Sequence, residues 1–174
     1  MARFLGYIAM SVDARIADSN QGVEWLDRHA PGDADMGYPE FYGGIDALVM
    51  GRTTYDFVAA QPEWPYPGKM SYVVTSRPLT SERDDVTAVE PDFARLRDRV
   101  DADGRKNVWI VGGGQTQRAA LDAGMFDELR VFVLPVVLGS GPLIFADGAQ
   151  AGAKLTGHKV WPGGVVELIY AFEG

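Results

Sequence analysis

At 174 residues, 47% hydrophobic and 23% charged, the chain has the balance of one folded globular domain spanning residues 1–174, not of a disordered, collagen-like or coiled-coil protein. Its 24 Asp and Glu against 16 Lys and Arg, a net charge of −8, disfavour broad nucleic-acid binding, which draws on phosphate neutralisation, yet leave room for a small anionic ligand at a local cluster of Arg and helix N-termini. The absence of Cys removes disulfides, thiolate nucleophiles and Cys-based metal sites and fits a reducing cytoplasm.

In chain order, the first apolar run, Phe4 to Met10, stops at Ser11-Val12-Asp13 with no cleavage pattern behind it, so it reads as a strand and not as a leader. A helix ends at Phe41 and Tyr42 before Gly43-Gly44, a strand follows at Ala47–Met50, and a second helix at Thr53–Ala60. Gln61 to Gly68 is a Pro-rich surface loop. Strands at Tyr72–Thr75 and Val86–Val89, a helix at Asp92–Val100, a strand at Val108–Val111, a helix at Thr116–Ala123 closed by Gly124, and a strand at Leu129–Leu134 complete an alternating pattern. The longest apolar run, Val131 to Leu138, is interrupted by Pro135 and far short of the roughly 20 residues of a membrane helix. Finally Lys154–Val160 and Val165–Phe172 flank Pro162-Gly163-Gly164, a turn that joins antiparallel strands. Near-continuous apolar strands such as Val108-Trp109-Ile110-Val111 belong in a sheet covered on both faces. The expected architecture is therefore three-layer α/β/α, a mixed, mostly parallel sheet with an antiparallel C-terminal hairpin.

Three strand-to-helix or strand-to-loop junctions carry potential chemistry. In Met50-Gly51-Arg52-Thr53-Thr54, a strand runs through Gly into a guanidinium and two hydroxyls at a helix start, an anion site in outline or an ordinary capped turn. In Val111-Gly112-Gly113-Gly114-Gln115-Thr116, three glycines suggest close approach to the backbone, for which a pyrophosphate is the natural candidate and a tight turn the alternative. The Gly-rich pattern is not the dinucleotide fingerprint of Rossmann folds, because Gln117 stands where that motif needs a small residue. Val74-Thr75-Ser76-Arg77-Pro78 is weak alone, but parallel strands gather their C-terminal ends at one edge, where all three junctions would face one crevice.

Ser11-Val12-Asp13-Ala14-Arg15-Ile16-Ala17, Gly51-Arg52-Thr53-Thr54-Tyr55-Asp56, Val111-Gly112-Gly113-Gly114 and Leu134 to Phe145, with its Leu138-Gly139-Ser140-Gly141-Pro142, together resemble the dihydrofolate-reductase-like superfamily. Within it, the chain resembles the branch holding the reductase domain of bifunctional riboflavin-biosynthesis deaminase/reductases and stand-alone relatives. The resemblance implies NADPH. Ala9 and Ile16 would flank its nicotinamide; Arg52, Ser76 and Arg77 would meet the 2′-phosphate; Thr53 and Thr54 with the amides of Gly113, Gly114, Gln115 and Thr116 would hold the pyrophosphate; and Gly51 and Gly112 would also belong to the cofactor site.

On the acceptor side, the resemblance implies a carboxylate on the helix before Gly51. Counting back reaches Asp35 as the candidate catalytic residue, with Glu40 the neighbouring alternative and a solvated acidic turn the competing reading. Asp13 and Trp25 are candidate substrate contacts, Trp25 being equally suited to capping the core. Lys69 replaces an Arg that grips the substrate carboxylate in dihydrofolate reductases, and Lys cannot reproduce the bidentate fork. Ala14 stands where the riboflavin-type motif has Gly, a substitution that matters if the backbone there has positive φ. His29 and His158 are too few and too far apart for a metal proposal. The expected activity is NADPH-dependent reduction of a small heterocyclic or ribosylamine-type acceptor, most specifically 5-amino-6-(5-phosphoribosylamino)uracil. Dihydrofolate reduction and a catalytically silent NADPH-binding module are the alternatives. A cytoplasmic homodimer is expected, with no nucleic-acid or membrane partner.

Overall fold

The computed structural model describes residues 1–30 and 32–172. Eight strands, β1 (Arg3–Ser11), β2 (Ala47–Gly51), β3 (Met70–Val74), β4 (Val86–Val89), β5 (Asn107–Gly112), β6 (Glu128–Leu134), β7 (Ala153–Val160) and β8 (Val166–Phe172), form one sheet in the order β4-β3-β2-β5-β1-β6-β8-β7. The first six run parallel. β8 then inserts antiparallel between β6 and β7.

The helices are α1 (Trp25–His29), α2 (Tyr38–Gly44), α3 (Arg52–Ala59), α4 (Phe93–Ala102) and α5 (Gly114–Asp122). The central strands are apolar on both faces because both faces are covered. Phe4, Val49, Tyr72, Val108 and Ile110 pack with Phe93, Leu96 and Val100 of α4 and Ala120 of α5. Leu5, Leu48, Met50, Val73 and Trp109 pack with Phe41 of α2 and Tyr55 and Val58 of α3. Each fully buried Val, Leu, Ile, Phe or Met side chain among these contributes about 1.5–3 kcal/mol of transfer free energy. Tyr72, 0% exposed, is admitted to the core because its hydroxyl donates to Asp103 Oδ2 at 2.6 Å.

The three-layer architecture and the antiparallel C-terminal hairpin agree with the pattern in the sequence. The five-residue α1 has no counterpart in it, since only Trp25 of that helix is buried and no periodicity can develop over so short a span. No helix among the described residues is long and apolar enough to cross a membrane.

Candidate active site

The site begins where two central strands part. β1 pairs with β5 only from Arg3↔Asn107 to Gly6↔Ile110, although β1 continues to Ser11 beside β6 and β5 continues to Gly112 beside β2. A register shift, from Val49↔Ile110 to Met50↔Gly112, leaves Val111 without an opposite residue. A bulge of this kind bends and twists its strand, and it lies where β5 leaves β1. The result is a crevice at the C-terminal ends of parallel strands, the position at which open α/β sheets bind ligands. Ala9 lies on the β1 stretch bordering this opening. Ile16 is held nearby by its N–H bond to the Pro142 carbonyl at 3.0 Å.

Two helices start at this edge from the adjacent strands β2 and β5. Gly51 is the N-cap of α3 and Gly113 that of α5, and neither helix has a side-chain cap. The first-turn amides of Arg52, Thr53 and Thr54, and of Gly114, Gln115 and Thr116, therefore have no intrahelical acceptor. The two starts touch. The Gly113 N–H donates to Thr54 Oγ1 at 3.2 Å, and a Cβ on Gly51 would lie 2.4 Å from Thr116 Oγ1. Although α3 and α5 cover opposite faces of the sheet, their positive dipole ends meet here, an arrangement that favours a multiply charged anion.

The three glycines divide by cause. Gly112 has φ +139, which strains any L side chain, and a Cβ on Gly114 would lie 2.3 Å from the Leu143 carbonyl oxygen. The chain itself demands these two, as the tight-turn alternative has it. Gly113 differs, for a Cβ there would meet only Thr54 Oγ1, at 3.5 Å, leaving that surface open to a ligand.

Arg52 and Arg77 converge on one carboxylate. Arg52 Nε donates to Asp56 Oδ1 at 2.7 Å and its Nη1 to the Pro78 carbonyl at 2.9 Å, while Arg77 Nη2 lies 3.9 Å from Asp56 Oδ2. Ser76 and Arg77 line a cavity of about 510 Å³ at the ends of β3 and β4, with Glu90 and Asp92 on its rim. The three junctions thus lie along a single edge.

A second cavity of about 510 Å³ lies under the antiparallel half of the sheet. Arg130, Lys159, Glu167 and Ile169 line it from β6, β7 and β8, and Asp35 and Glu40 from α2 and the segment before it. Asp35 is exposed and accepts the Gly37 N–H at 2.8 Å. Glu167 is 5% exposed; it accepts Trp161 Nε1–H at 3.0 Å and lies 4.0 Å from Arg130 Nη1. Tyr7, in register with Arg130, donates its hydroxyl to the Met36 carbonyl at 3.0 Å. Burial, reinforced by the charges of Glu167 and Asp35, raises its pKa and keeps it a phenol. Tyr7, Arg130 and Glu167 were not singled out from the sequence. The available signal for the two charged residues is their position within largely apolar strands, Arg130 in β6, which also starts with Glu128, and Glu167 in β8.

Asp13, Trp25 and Lys69 each have partners within the chain. Asp13 accepts from Ser11 Oγ at 2.7 Å and from the N–H groups of Leu138 at 3.0 Å and Gly139 at 2.8 Å. These bonds hold its carboxyl down at about 2 and make it a tie between two loops. Trp25 is 2% exposed against Phe132, Leu134 and Val165, the core position of its two alternatives. The Lys69 ammonium donates to the Tyr42 and Ile45 carbonyls at the end of α2, where it closes a helix C-terminus.

A family model described as RibD C-terminal domain matches residues 6–166. The chain belongs to the RibD C-terminal domain family. It is 34% identical over 166 residues to the uncharacterized protein YwjB of Bacillus subtilis (strain 168), covering 94% of each chain. It is 25% identical over 179 residues to the uncharacterized protein YyaP of the same organism, covering 96% of this chain and 93% of that one. The crystal structure of a protein from Shewanella sp. PV-4, provisionally named for riboflavin biosynthesis, superposes with a TM-score of 0.89 at 26% identity over 100% of both chains. The fold is also that of the diaminohydroxyphosphoribosylaminopyrimidine deaminase/5-amino-6-(5-phosphoribosylamino)uracil reductase of Thermotoga maritima, with a TM-score of 0.75 at 13% identity over 99% of this chain and 57% of that longer one. RibD C-terminal domains are riboflavin-biosynthesis-type reductase domains, and the mixed, mostly parallel eight-stranded sheet with its antiparallel C-terminal strands is the RibD reductase-like fold.

Proposed function

We propose that this RibD-type domain is an NADPH-dependent reductase acting on a ribosylaminopyrimidine-like acceptor, 5-amino-6-(5-phosphoribosylamino)uracil being the specific candidate. The observation that carries the reading is the junction of the two uncapped helix starts through Thr54 and Gly113, beside the splayed β1 and β5. The residues present fit the cofactor, because Gly113 leaves its backbone open and the free amides of two helix starts face one place.

When bound, NADPH supplies the hydride. The first-turn amides of α3 and α5 would hold the pyrophosphate, with the Thr53 and Thr54 hydroxyls donating to it. Arg52, Arg77 and Ser76 would bind the 2′-phosphate, for which charge-assisted donors are required. Ala9 and Ile16 would border the nicotinamide. The cavity lined by Asp35, Glu40, Arg130 and Lys159 would receive the acceptor. Reducing a ribosylamine imine adds hydride at the sugar carbon and leaves an amine on a ribityl chain, which consumes one proton. Asp35, exposed at the cavity rim, would relay that proton from solvent.

The engagement of Lys69 by α2 carbonyls removes a cationic grip for a folate glutamate and disfavours dihydrofolate as substrate. The outer strand β7 is exposed along most of its length, with Leu155 at 49% and Val160 at 69%. An unpaired strand edge of this kind is a template for a second chain, and a homodimer through it accords with the reading.

The test is titration with NADPH and NADH followed by acceptor-dependent NADPH oxidation. Preference for NADPH, oxidation with the ribosylaminopyrimidine, and an Asp35→Asn variant that keeps NADPH affinity but reduces the acceptor slowly support the proposal. Saturable NADPH binding with no oxidation by pteridine, ribosylaminopyrimidine or quinone acceptors would favour a silent binding module. Absence of binding to either cofactor overturns the redox reading.

A further inference from the structure

Gln117 is 0% exposed, and neither its Nε2 nor its Oε1 has a hydrogen-bond partner among the described residues. Several indole and phenol groups in the chain also lack partners, but Gln117 leaves both ends of one amide unpaired. Buried amides in folded proteins are paired almost without exception, because an unpaired polar atom forfeits its water without compensation. An apolar side chain of the same size would fit this position with no such penalty.

The location of the amide suggests its partner. Gln117 sits one turn into α5, its N–H bonded to the Gly113 carbonyl. Its Nε2 is 3.6 Å from where a Cβ on Gly112 would be, and Ile8 Cδ1 is 3.7 Å from the same point. Gly112 ends β5, and Ile8 belongs to the stretch of β1 that has left β5. The unpaired amide therefore lies buried close to where β1 and β5 part, behind the helix start assigned to the pyrophosphate.

We infer that the Gln117 side-chain amide is a binding residue for the nicotinamide half of the cofactor, donating through Nε2 and accepting through Oε1 to its carboxamide. This rests on the NADPH reading above. A primary carboxamide is the complementary group: it offers one acceptor and two donors, and a Gln amide can answer both kinds at once. The described residues leave the amide unpaired, and on this inference the ligand pairs it. Binding and stability are consequently opposed at this residue.

The experiment compares wild-type protein with Gln117→Met and Gln117→Leu, measuring thermal unfolding of the ligand-free proteins and calorimetric dissociation constants for NADPH and for 2′,5′-ADP, which lacks the nicotinamide. Expected are a melting temperature equal to or above that of wild type, NADPH binding weakened about 10-fold or more, and 2′,5′-ADP binding unchanged within about 2-fold. Unchanged NADPH affinity in both variants overturns the inference. Equal weakening of both ligands overturns it too, since Gln117 would then only shape the start of α5. A lower melting temperature in both variants does the same, because the amide would already be satisfied, by water, in the free protein. If wild type binds 2′,5′-ADP but the variants and wild type bind NADPH alike, the cofactor reading stands and the role of Gln117 falls. If wild type binds neither ligand, both fall.

Discussion

Thr54 Oγ1 accepts the Gly113 N–H at 3.2 Å, so that a side chain from the first turn of α3 holds the residue capping α5 across the sheet. In accepting that bond the hydroxyl keeps its own proton free to point outward. Thr54 thus aligns the two helix starts and adds a donor to them. We expect Thr54→Val to weaken NADPH by roughly 10- to 100-fold, the range for hydrogen bonds to a charged group. Thr54→Ser should stay within about 3-fold of wild type, because it retains the hydroxyl. Equal behaviour of the two variants in calorimetry would show that the hydroxyl does not face the anion.

Arg52 and Arg77 share Asp56. Removing Arg52 by Arg52→Ala should weaken NADPH by about 1.5–3 kcal/mol and NADH far less, since only the former has the 2′-phosphate. Asp56→Asn should act in the opposite direction. With the competing carboxylate neutralised, both guanidinium groups face the phosphate, and NADPH should bind a few-fold more tightly, the gain shrinking as salt is raised. Titrations of both cofactors at low and high ionic strength check the pair.

Ala14 has φ +60, and the strain is held by flanking bonds, its N–H to the Ser11 carbonyl at 2.9 Å and the Ile144 N–H to its own carbonyl at 3.0 Å. The left-handed region costs a residue with a Cβ about 1–2 kcal/mol, while Gly loses more chain entropy on folding. We expect Ala14→Gly to raise stability by about 0.5–1 kcal/mol in denaturant unfolding. A loss of stability would mean that the Ala14 methyl packs more productively than its backbone is strained.

The depressed pKa of Asp13, about 2 against an ordinary 3.8, sets a pH dependence of definite sign. The unfolded chain takes up this proton more readily than the folded one. The contribution of Asp13 is therefore complete above about pH 4 and is lost as the pH falls toward 2. Asp13→Asn should flatten the part of the acid-unfolding curve that belongs to this group, and a variant curve parallel to wild type between pH 4 and pH 2 would contradict the assignment.

The elements were legible in the sequence where each carries its own pattern. Val108-Trp109-Ile110-Val111 signals a doubly covered strand without reference to any other segment, and Gly124 marks the end of α5. The parting of β1 from β5 was not legible, because it depends on how Val49 and Met50 register against Ile110 and Gly112, a property of two segments about 60 residues apart. The same holds for Gln117, which in sequence is an ordinary helical polar residue. Only packing reveals that its amide has no partner among the described residues. The glycine cluster was legible as special, but not as to cause: Gly114 is required by Leu143, some 30 residues downstream.

The loops after β1 and β6 are joined along their length. Val12 N–H bonds the Val136 carbonyl and Ile16 N–H the Pro142 carbonyl, Asp13 takes the amides of Leu138 and Gly139, Arg15 donates to the Gly141 carbonyl, and a Cβ on Gly141 would lie 2.1 Å from the Ala17 carbonyl oxygen. The two segments are thus a single heritable unit. A substitution in one changes what the other can tolerate, so relatives should exchange residues across this seam in matched pairs. Chimeras that graft one loop alone onto this scaffold should fail where grafts of both succeed.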